Sequence, residues 1–87
     1  VIGLVGALAR SFAPLHIRVN AVSPGATDTA MMAHYDEKAM RRLSRRTLAG
    51  RIGSASEIAR VASFLVSDAA SYIDGQVIAV NGGETHD

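Results

Sequence analysis

Between Ile17 and Thr29 the chain reads IRVNAVSPGATDT, and few folds accommodate that order of residues. Ile17, Val19 and Ala21 alternate with Arg18 and Asn20, and Val22 joins the apolar set. This predicts a short strand ending in a Ser23-Pro24-Gly25 turn. Proline fixes one backbone dihedral and glycine frees the next. In open parallel α/β sheets ligands bind outside the carboxyl ends of the strands, and a Pro-Gly turn there lets backbone approach a ligand closely. The competing reading is an ordinary strand-ending turn. Thr27 and Thr29 follow the turn.

A second strand is expected near the carboxyl terminus. Asp74-Gly75 reads as a turn, the run from Gln76 to Val80 is apolar and β-branched, and Asn81-Gly82-Gly83 closes it. Between the two strands, Ser54-Ala55-Ser56-Glu57 has the form of a capping box, so a helix begins there. Ile58, Val61, Ala62 and Leu65 form its buried stripe with Phe64 beside it, and Ser67-Asp68 ends the pattern. Strand, helix, strand is the signature of a parallel crossover, for which the general expectation is a right-handed connection.

The remaining segments are helical or surface-like. Val1, Leu4, Val5, Leu8 and Phe12 have helical spacing, and Gly3, Gly6, Ala7 and Ala9 make that helix slim. Pro14 stops it. His16 is expected to be a turn residue, since histidine is among the side chains that tolerate a left-handed conformation. His16, His34 and His86 are isolated in sequence, and no spacing of His, Asp and Glu predicts a metal site. Ala30 to Arg46 shows a loose helical pattern. It reads either as a solvated surface helix whose methionines plug a gap or as a functional cover. Arg41, Arg42, Arg45, Arg46 and Arg51 form a basic cluster, read as a solvated helix face because no second recognition helix follows.

Composition narrows the classes. Eighty-seven residues make at most one small domain, and 48% apolar content excludes a disordered tail. A net charge of +1 creates no demand for nucleic acid or an anionic membrane, and the absence of cysteine excludes a disulfide framework and a thiol nucleophile. With neither a signal sequence nor an apolar run long enough to span a bilayer, the expectation is a cytoplasmic protein.

Taken together, these motifs resemble the short-chain dehydrogenase/reductase family. Its segment after the catalytic residues reads roughly I-R-V-N-x-x-x-P-G-x-x-x-T, matched here by Ile17, Arg18, Val19, Asn20, Pro24, Gly25 and Thr29. The stretch from Leu48 to Ala59, Phe64-Leu65 with Ser67-Asp68, and Gly75-Gln76 through Gly82-Gly83 resemble the family's last helix, last strand and terminal Gly-Gly. The resemblance covers essentially the whole chain. It implies an α/β fold, the C-terminal part of a Rossmann-like doubly wound parallel sheet in the order helix, strand, flap, helix, strand, so that residues 1–87 are the C-terminal segment of a single NAD(P)-binding domain. The family places its last helix on the sheet face opposite the preceding one, where the general handedness rule and the resemblance can disagree.

The resemblance also implies an oxidoreductase that moves hydride between NAD or NADP and a small-molecule alcohol or carbonyl substrate. Backbone near Pro24, Gly25 and Thr27 would hold the nicotinamide carboxamide, and the Thr29 hydroxyl would reach the carboxamide or the pyrophosphate. Thr27 stands where the family more often has Ile or Val. Met31, Met32 and Tyr35 would lie on a flap over the substrate. No catalytic residue is expected in this chain, because the family's Ser and Tyr-x-x-x-Lys precede its first helix; Tyr35-Asp36-Glu37-Lys38 has the wrong spacing. The chain alone is therefore expected to be inactive. The complete protein is expected to form a homodimer or homotetramer through the helix from Ile58 to Leu65 and the edge strand from Gln76 to Val80. The alternative is a non-enzymatic remnant that only packs or dimerises.

Overall fold

The alternation of apolar residues into and out of two short runs gives the fold its centre. In the computed structural model, which describes residues 2–28 and 30–84 without the side chains of Ile2 and Met31, those runs pair as parallel strands. The order is α1 (Ile2–Phe12), β1 (Ala21–Pro24), β2 (Thr27–Asp28), α2 (Glu37–Arg45), β3 (Gly53–Ser54), α3 (Ala55–Leu65) and β4 (Val77–Val80). Short 3-10 turns lie at Ala13–Leu15, Ala30–His34 and Asp68–Ala70. β1 pairs with β4 in the register Ala21↔Val77 to Pro24↔Val80, and the two-residue strands β2 and β3 form a second parallel pair, Thr27↔Gly53 and Asp28↔Ser54. The α/β class and the parallel crossover are as expected; the β2–β3 pair had no sequence signal, being too short to show a period.

The first strand begins later than the sequence predicts. Residues 17–20 are not in the ladder, which starts at Ala21, and Ser23-Pro24, read as a turn, continue the strand. The reason lies opposite. Gly75, at φ +71°, turns the chain ahead of β4, so side chains supply most of the bridging there in place of a regular ladder. Asn20 does this from both ends of its amide: Oδ1 accepts the Gln76 amide at 3.0 Å and Nδ2 donates to the Ile73 carbonyl at 3.0 Å. The Val19 amide donates to Asp74 Oδ1 at 2.9 Å, and its carbonyl accepts the Gly75 amide at 2.9 Å. Pro24 is tolerated because the amides of Ala21 and Gly25 point at β4, so by alternation position 24 faces the opposite edge, which has no strand partner among the described residues.

Helix α1 buries Val5 and Ala9, the latter against the Gly75 turn, where a built Cβ would lie 3.4 Å from Ala9 Cβ. Its glycines are not contact points: a Cβ on Gly3 or Gly6 would meet nothing within 4 Å. Pro14 sits inside the 3-10 turn that ends α1, and His16 is left-handed at φ 58°, ψ 37°, its amide donating to the Ala13 carbonyl, as its turn role requires. The predicted long helix from Ala30 divides in two. Asp36 is extended (φ −78°, ψ 174°) and caps α2 by accepting the Ala39 amide at 2.8 Å, so the chain breaks at Tyr35-Asp36.

Helix α3 carries the predicted capping box. Of its predicted stripe Leu65 is buried and Ile58 and Val61 are half-buried, whereas Ala62 is exposed. An open cleft of about 510 Å³, bounded by Arg18, Asn20, Val22, Ala62, Leu65 and Val66, lies where Ala62 would otherwise meet the strand. At the far end of α3 the Ser67 hydroxyl donates to the Phe64 carbonyl at 2.6 Å, and one long side chain reaches in from the approach to β1. The two N–H groups of Arg18 Nη1 are shared among the carbonyls of Leu65 (2.9 Å), Ala70 (2.8 Å) and Ile73 (3.1 Å), and Nη2 donates to that of Ser67 (3.3 Å). Helix ends leave carbonyls without partners and favour a cation, and the guanidinium fork supplies both needs. Ala70, fully buried, sits in the loop so gathered. Hydrogen bonds from a charged donor contribute more than neutral ones, so Arg18→Met is expected to lower stability by about 2 to 3 kcal/mol in urea unfolding, with Arg18→Lys recovering only part of the loss.

Candidate functional site

β1 and β4 run parallel and end together, so the loops after them share one end of the sheet. Pro24 stands opposite Val80, and the Gly25 amide continues the ladder by donating to the Val80 carbonyl at 3.2 Å. Gly25 is not at positive φ. It is glycine for space: a Cβ there would lie 2.6 Å from Asn81 Cβ and 3.0 Å from its Cα. The close approach that the Pro-Gly turn permits is therefore made, in the structure, to Asn81. The Thr27 hydroxyl donates back to the Gly25 carbonyl at 2.9 Å, closing the loop on itself, and Ala26 accepts the Gly53 amide at 3.1 Å.

Of the predicted site residues, Pro24, Gly25 and Thr27 thus form one loop at the carboxyl ends of the strands. Thr29 lies outside the described residues, as does the side chain of Met31. Met32 is half-buried and Tyr35 exposed in and just after the 3-10 turn, and the Tyr35 amide donates to the Met32 carbonyl at 3.0 Å. Neither borders the cleft between β1 and α3 or the small cavity beside the Pro24-Gly25 loop. The small cavity beside the loop, about 80 Å³ among Ala26, Gly53, Ile58, Val80, Asn81 and Gly82, is too small for a nicotinamide ring.

Two clusters lie behind the loop: Thr47 was not read from sequence, and Arg51, expected on a solvated helix face, instead lies beyond the end of α2 and pairs with Glu57. Thr47 is buried, and its Oγ1 accepts the amides of Gly50 (3.0 Å) and Arg51 (3.2 Å) while facing the carbonyls of Ser44 (3.0 Å) and Arg51 (3.1 Å), to one of which it donates. Arg51 grips Glu57 at both oxygens, each at 2.8 Å, while Glu57 Oε1 also accepts the Ser54 amide at 2.9 Å. The Arg51 guanidinium, and next the Ser54 amide, hold the Glu57 carboxyl at about 2, against an ordinary 4.5. The capping box was legible, but its arginine sits six residues earlier, a spacing that belongs to no regular element. Among the described residues no group of three His, Cys, Asp or Glu could hold a metal ion, and no helix is long and apolar enough to cross a membrane.

A family model described as enoyl-(acyl carrier protein) reductase matches residues 1–85. The 3-oxoacyl-[acyl-carrier-protein] reductase FabG of Aquifex aeolicus is 45% identical over 83 residues, 95% of this chain and 34% of that protein. Among solved structures, a short-chain dehydrogenase/reductase (glucose/ribitol dehydrogenase) from Brucella melitensis superposes with a TM-score of 0.88 at 41% identity, covering 99% of this chain and 35% of that one. A 4-hydroxyisoleucine dehydrogenase complexed with NADH gives a TM-score of 0.91 at 30% identity, covering 99% of this chain and 36% of its own. The chain spans about a third of the length of the curated relatives it matches.

Because Glu57 has a lower carboxyl pKa folded than unfolded, its contribution to stability is fully present above pH 4.5 and is lost as pH falls through about 2. Following the Glu57 carboxyl carbon by NMR is expected to give a midpoint near 2, and Arg51→Met to return it toward 4.5.

Proposed function

The chain belongs to the short-chain dehydrogenase/reductase family, and on that premise we propose that residues 1–87 are the C-terminal segment of a single NAD(P)-binding domain in an oxidoreductase. Its reaction is hydride transfer between NAD or NADP and an alcohol or carbonyl. The observation that carries this reading is the loop of Pro24, Gly25 and Thr27 held at the shared carboxyl ends of two parallel strands, where α/β sheets bind ligands. The NADH carried by the similar 4-hydroxyisoleucine dehydrogenase supports the choice of cofactor.

The bound nicotinamide supplies the hydride; this chain's residues hold and cover it. A carboxamide both donates and accepts hydrogen bonds, which suits a loop of backbone polar groups with a hydroxyl at Thr27. Gly25 is committed to Val80 and Asn81, so its part is to hold the loop's shape, while backbone near Pro24 and Thr27 holds the carboxamide and the Thr29 hydroxyl serves the carboxamide or the pyrophosphate. Met31, Met32 and Tyr35 belong to the flap that covers the substrate. The proton donor and the phosphate-binding loop come from the part of the domain outside these residues. The exposed edge of β4 and the exposed Phe64 on α3 support assembly of the complete protein as a homodimer or homotetramer across these two elements.

Residues 1–87 alone are expected to give no hydride transfer, whereas the complete protein consumes NADH or NADPH in the presence of a carbonyl substrate; turnover by the isolated segment overturns the assignment. In the complete protein Thr29→Ala is expected to weaken cofactor binding by about 1 to 3 kcal/mol, the scale of a lost polar contact, and an unchanged dissociation constant removes Thr29 from the site. Ala79→Lys, on β4, is expected to dissociate or destabilise the assembly in sedimentation, and a wild-type monomer with an intact cofactor site rules the assembly out.

A further inference from the structure

The outer face of α2 carries charge that the other described residues leave unanswered. Lys38, Arg41, Arg42, Arg45 and the C-cap Arg46 stand at spacings of three and four, which at about 100° per residue gathers them within an arc of about 140°. All five are exposed, while Ala39, Met40, Leu43 and Ser44 on the other side of the helix are half-buried. None of the five makes an ion pair among the described residues. Five of the chain's nine Lys and Arg thus lie on one short face that holds none of its eight Asp and Glu, so a net charge of +1 conceals a segregated one.

The arrangement works against the helix. Like charges three and four residues apart repel, and here they occur as Lys38–Arg41, Lys38–Arg42, Arg41–Arg45, Arg42–Arg45 and Arg42–Arg46. A helix favours cations in its last turn, which accounts for Arg42 and Arg45. It does not account for Lys38, in the first turn of α2, where the helix dipole disfavours a cation. A helix of nine residues has little stability of its own to set against such repulsion, and an external anion removes it.

We propose that this face docks on an anionic lipid bilayer. Clusters of about four to eight Lys and Arg on an amphipathic helix have that affinity, since each cation multiplies partitioning to an anionic surface by about fivefold. The shape selects the occupant. The outside of a helix is convex, whereas small ligands take concave sites. The stripe is about 12 Å long, so a nucleic-acid duplex would overrun it at the end where Asp36 and Glu37 stand. A bilayer offers mobile headgroups in a plane, which long flexible side chains spread over such an arc reach together. Leu48, 74% exposed three residues beyond α2, adds an apolar side chain of the kind that enters the headgroup layer. The docking stands on α2 and its flanks. Only its consequence, that the flap proposed above faces the bilayer and an apolar carbonyl compound held there, rests on the functional reading.

Co-sedimentation of the complete protein with vesicles tests the docking. It needs no cofactor, so its failure leaves the functional reading standing. The protein is expected to sediment with vesicles of phosphatidylcholine and phosphatidylglycerol in equal parts and not with phosphatidylcholine alone. It is expected to be released as NaCl rises from about 0.1 M to about 1 M and the screening length falls from about 10 Å to about 3 Å. Arg41→Gln with Arg45→Gln is expected to lower partitioning about 25-fold, two factors of about five. Should that pair fail to fold, Lys38→Gln with Arg46→Gln removes the same charge from the ends of the stripe, and the same loss is expected. Arg41→Lys with Arg45→Lys keeps the charge and is expected to bind as wild type does, since a headgroup layer reads charge rather than the guanidinium fork. Equal sedimentation with both kinds of vesicle, or with neither, overturns the docking. A folded Gln pair that binds like wild type overturns the role of α2. Loss of binding in the Lys pair, or retention on immobilised polyglutamate without binding to vesicles, overturns the lipid reading in favour of an acidic protein partner.

Discussion

The parallel register of β1 on β4 is the constraint on which the other features depend. It is four residues long, and nothing in four backbone pairs distinguishes one register strongly from its neighbours. What fixes it lies just upstream, where Asn20 spans Ile73 and Gln76, Val19 is tied to Asp74 and Gly75, and Arg18 gathers the carbonyls that end α3. A slip by one residue would break the Asn20 and Val19 contacts together and turn the side chains of one strand to the opposite face. With the register set, Pro24 and Val80 end side by side, and the two loops that follow have to share the same space. Gly25 and Asn81 resolve that competition: one has no side chain, and the other occupies the vacated volume.

Much of this was legible in the sequence, for identifiable reasons. The capping box at Ser54 and Glu57 is a local pattern with a local cause, and it appears as written. His16 and Gly75 hold the positive φ angles that their turns require. Parallel pairing followed from a helix between two apolar runs. The start of β1 was misplaced because residues 17–20 meet the chain opposite mainly through the Asn20 and Asp74 side chains, which apolar alternation does not report. The break before α2 was missed although Asp36 precedes the helix as a good N-cap does, since methionines on both sides gave one weak continuous period.

The candidate site shows the same division more sharply. That Pro24-Gly25 ends a strand and shapes a loop is a sequence statement, but what the glycine makes room for is not. Asn81 lies 56 positions away, and no local pattern joins them. Thr47 was illegible, and Arg51 was misplaced on a helix face, for a similar reason: their importance comes from irregular backbone. A hydroxyl that serves the amides of Gly50 and Arg51 fixes a loop that no period describes. The bidentate Arg51–Glu57 pair then ties that loop to the first turn of α3, so the segment after α2 and the start of the crossover helix are one unit.

These polar contacts specify shape more than they supply stability, and the apolar side of the molecule shows why that distinction matters. The buried apolar residues among those described are Val5, Ala9, Leu65 and Ala70, in a molecule extending 50 × 25 × 21 Å. Ordering a residue costs about 1 to 2 kcal/mol in backbone entropy, so hydrogen bonds worth about 1 kcal/mol net cannot carry a fold with so thin a core. Large apolar side chains are present but uncovered. Leu4, Leu8 and Phe12 repeat every fourth residue along one side of α1, Phe64 and Val66 mark the end of α3, and β1 and β4 each keep an open edge. Helical spacing of that kind is what a helix presents to a neighbour, not to water. Covering these faces adds hydrophobic stabilisation that the described residues do not provide among themselves, while leaving the polar clamps, and hence the shared end of the two strands, as they are.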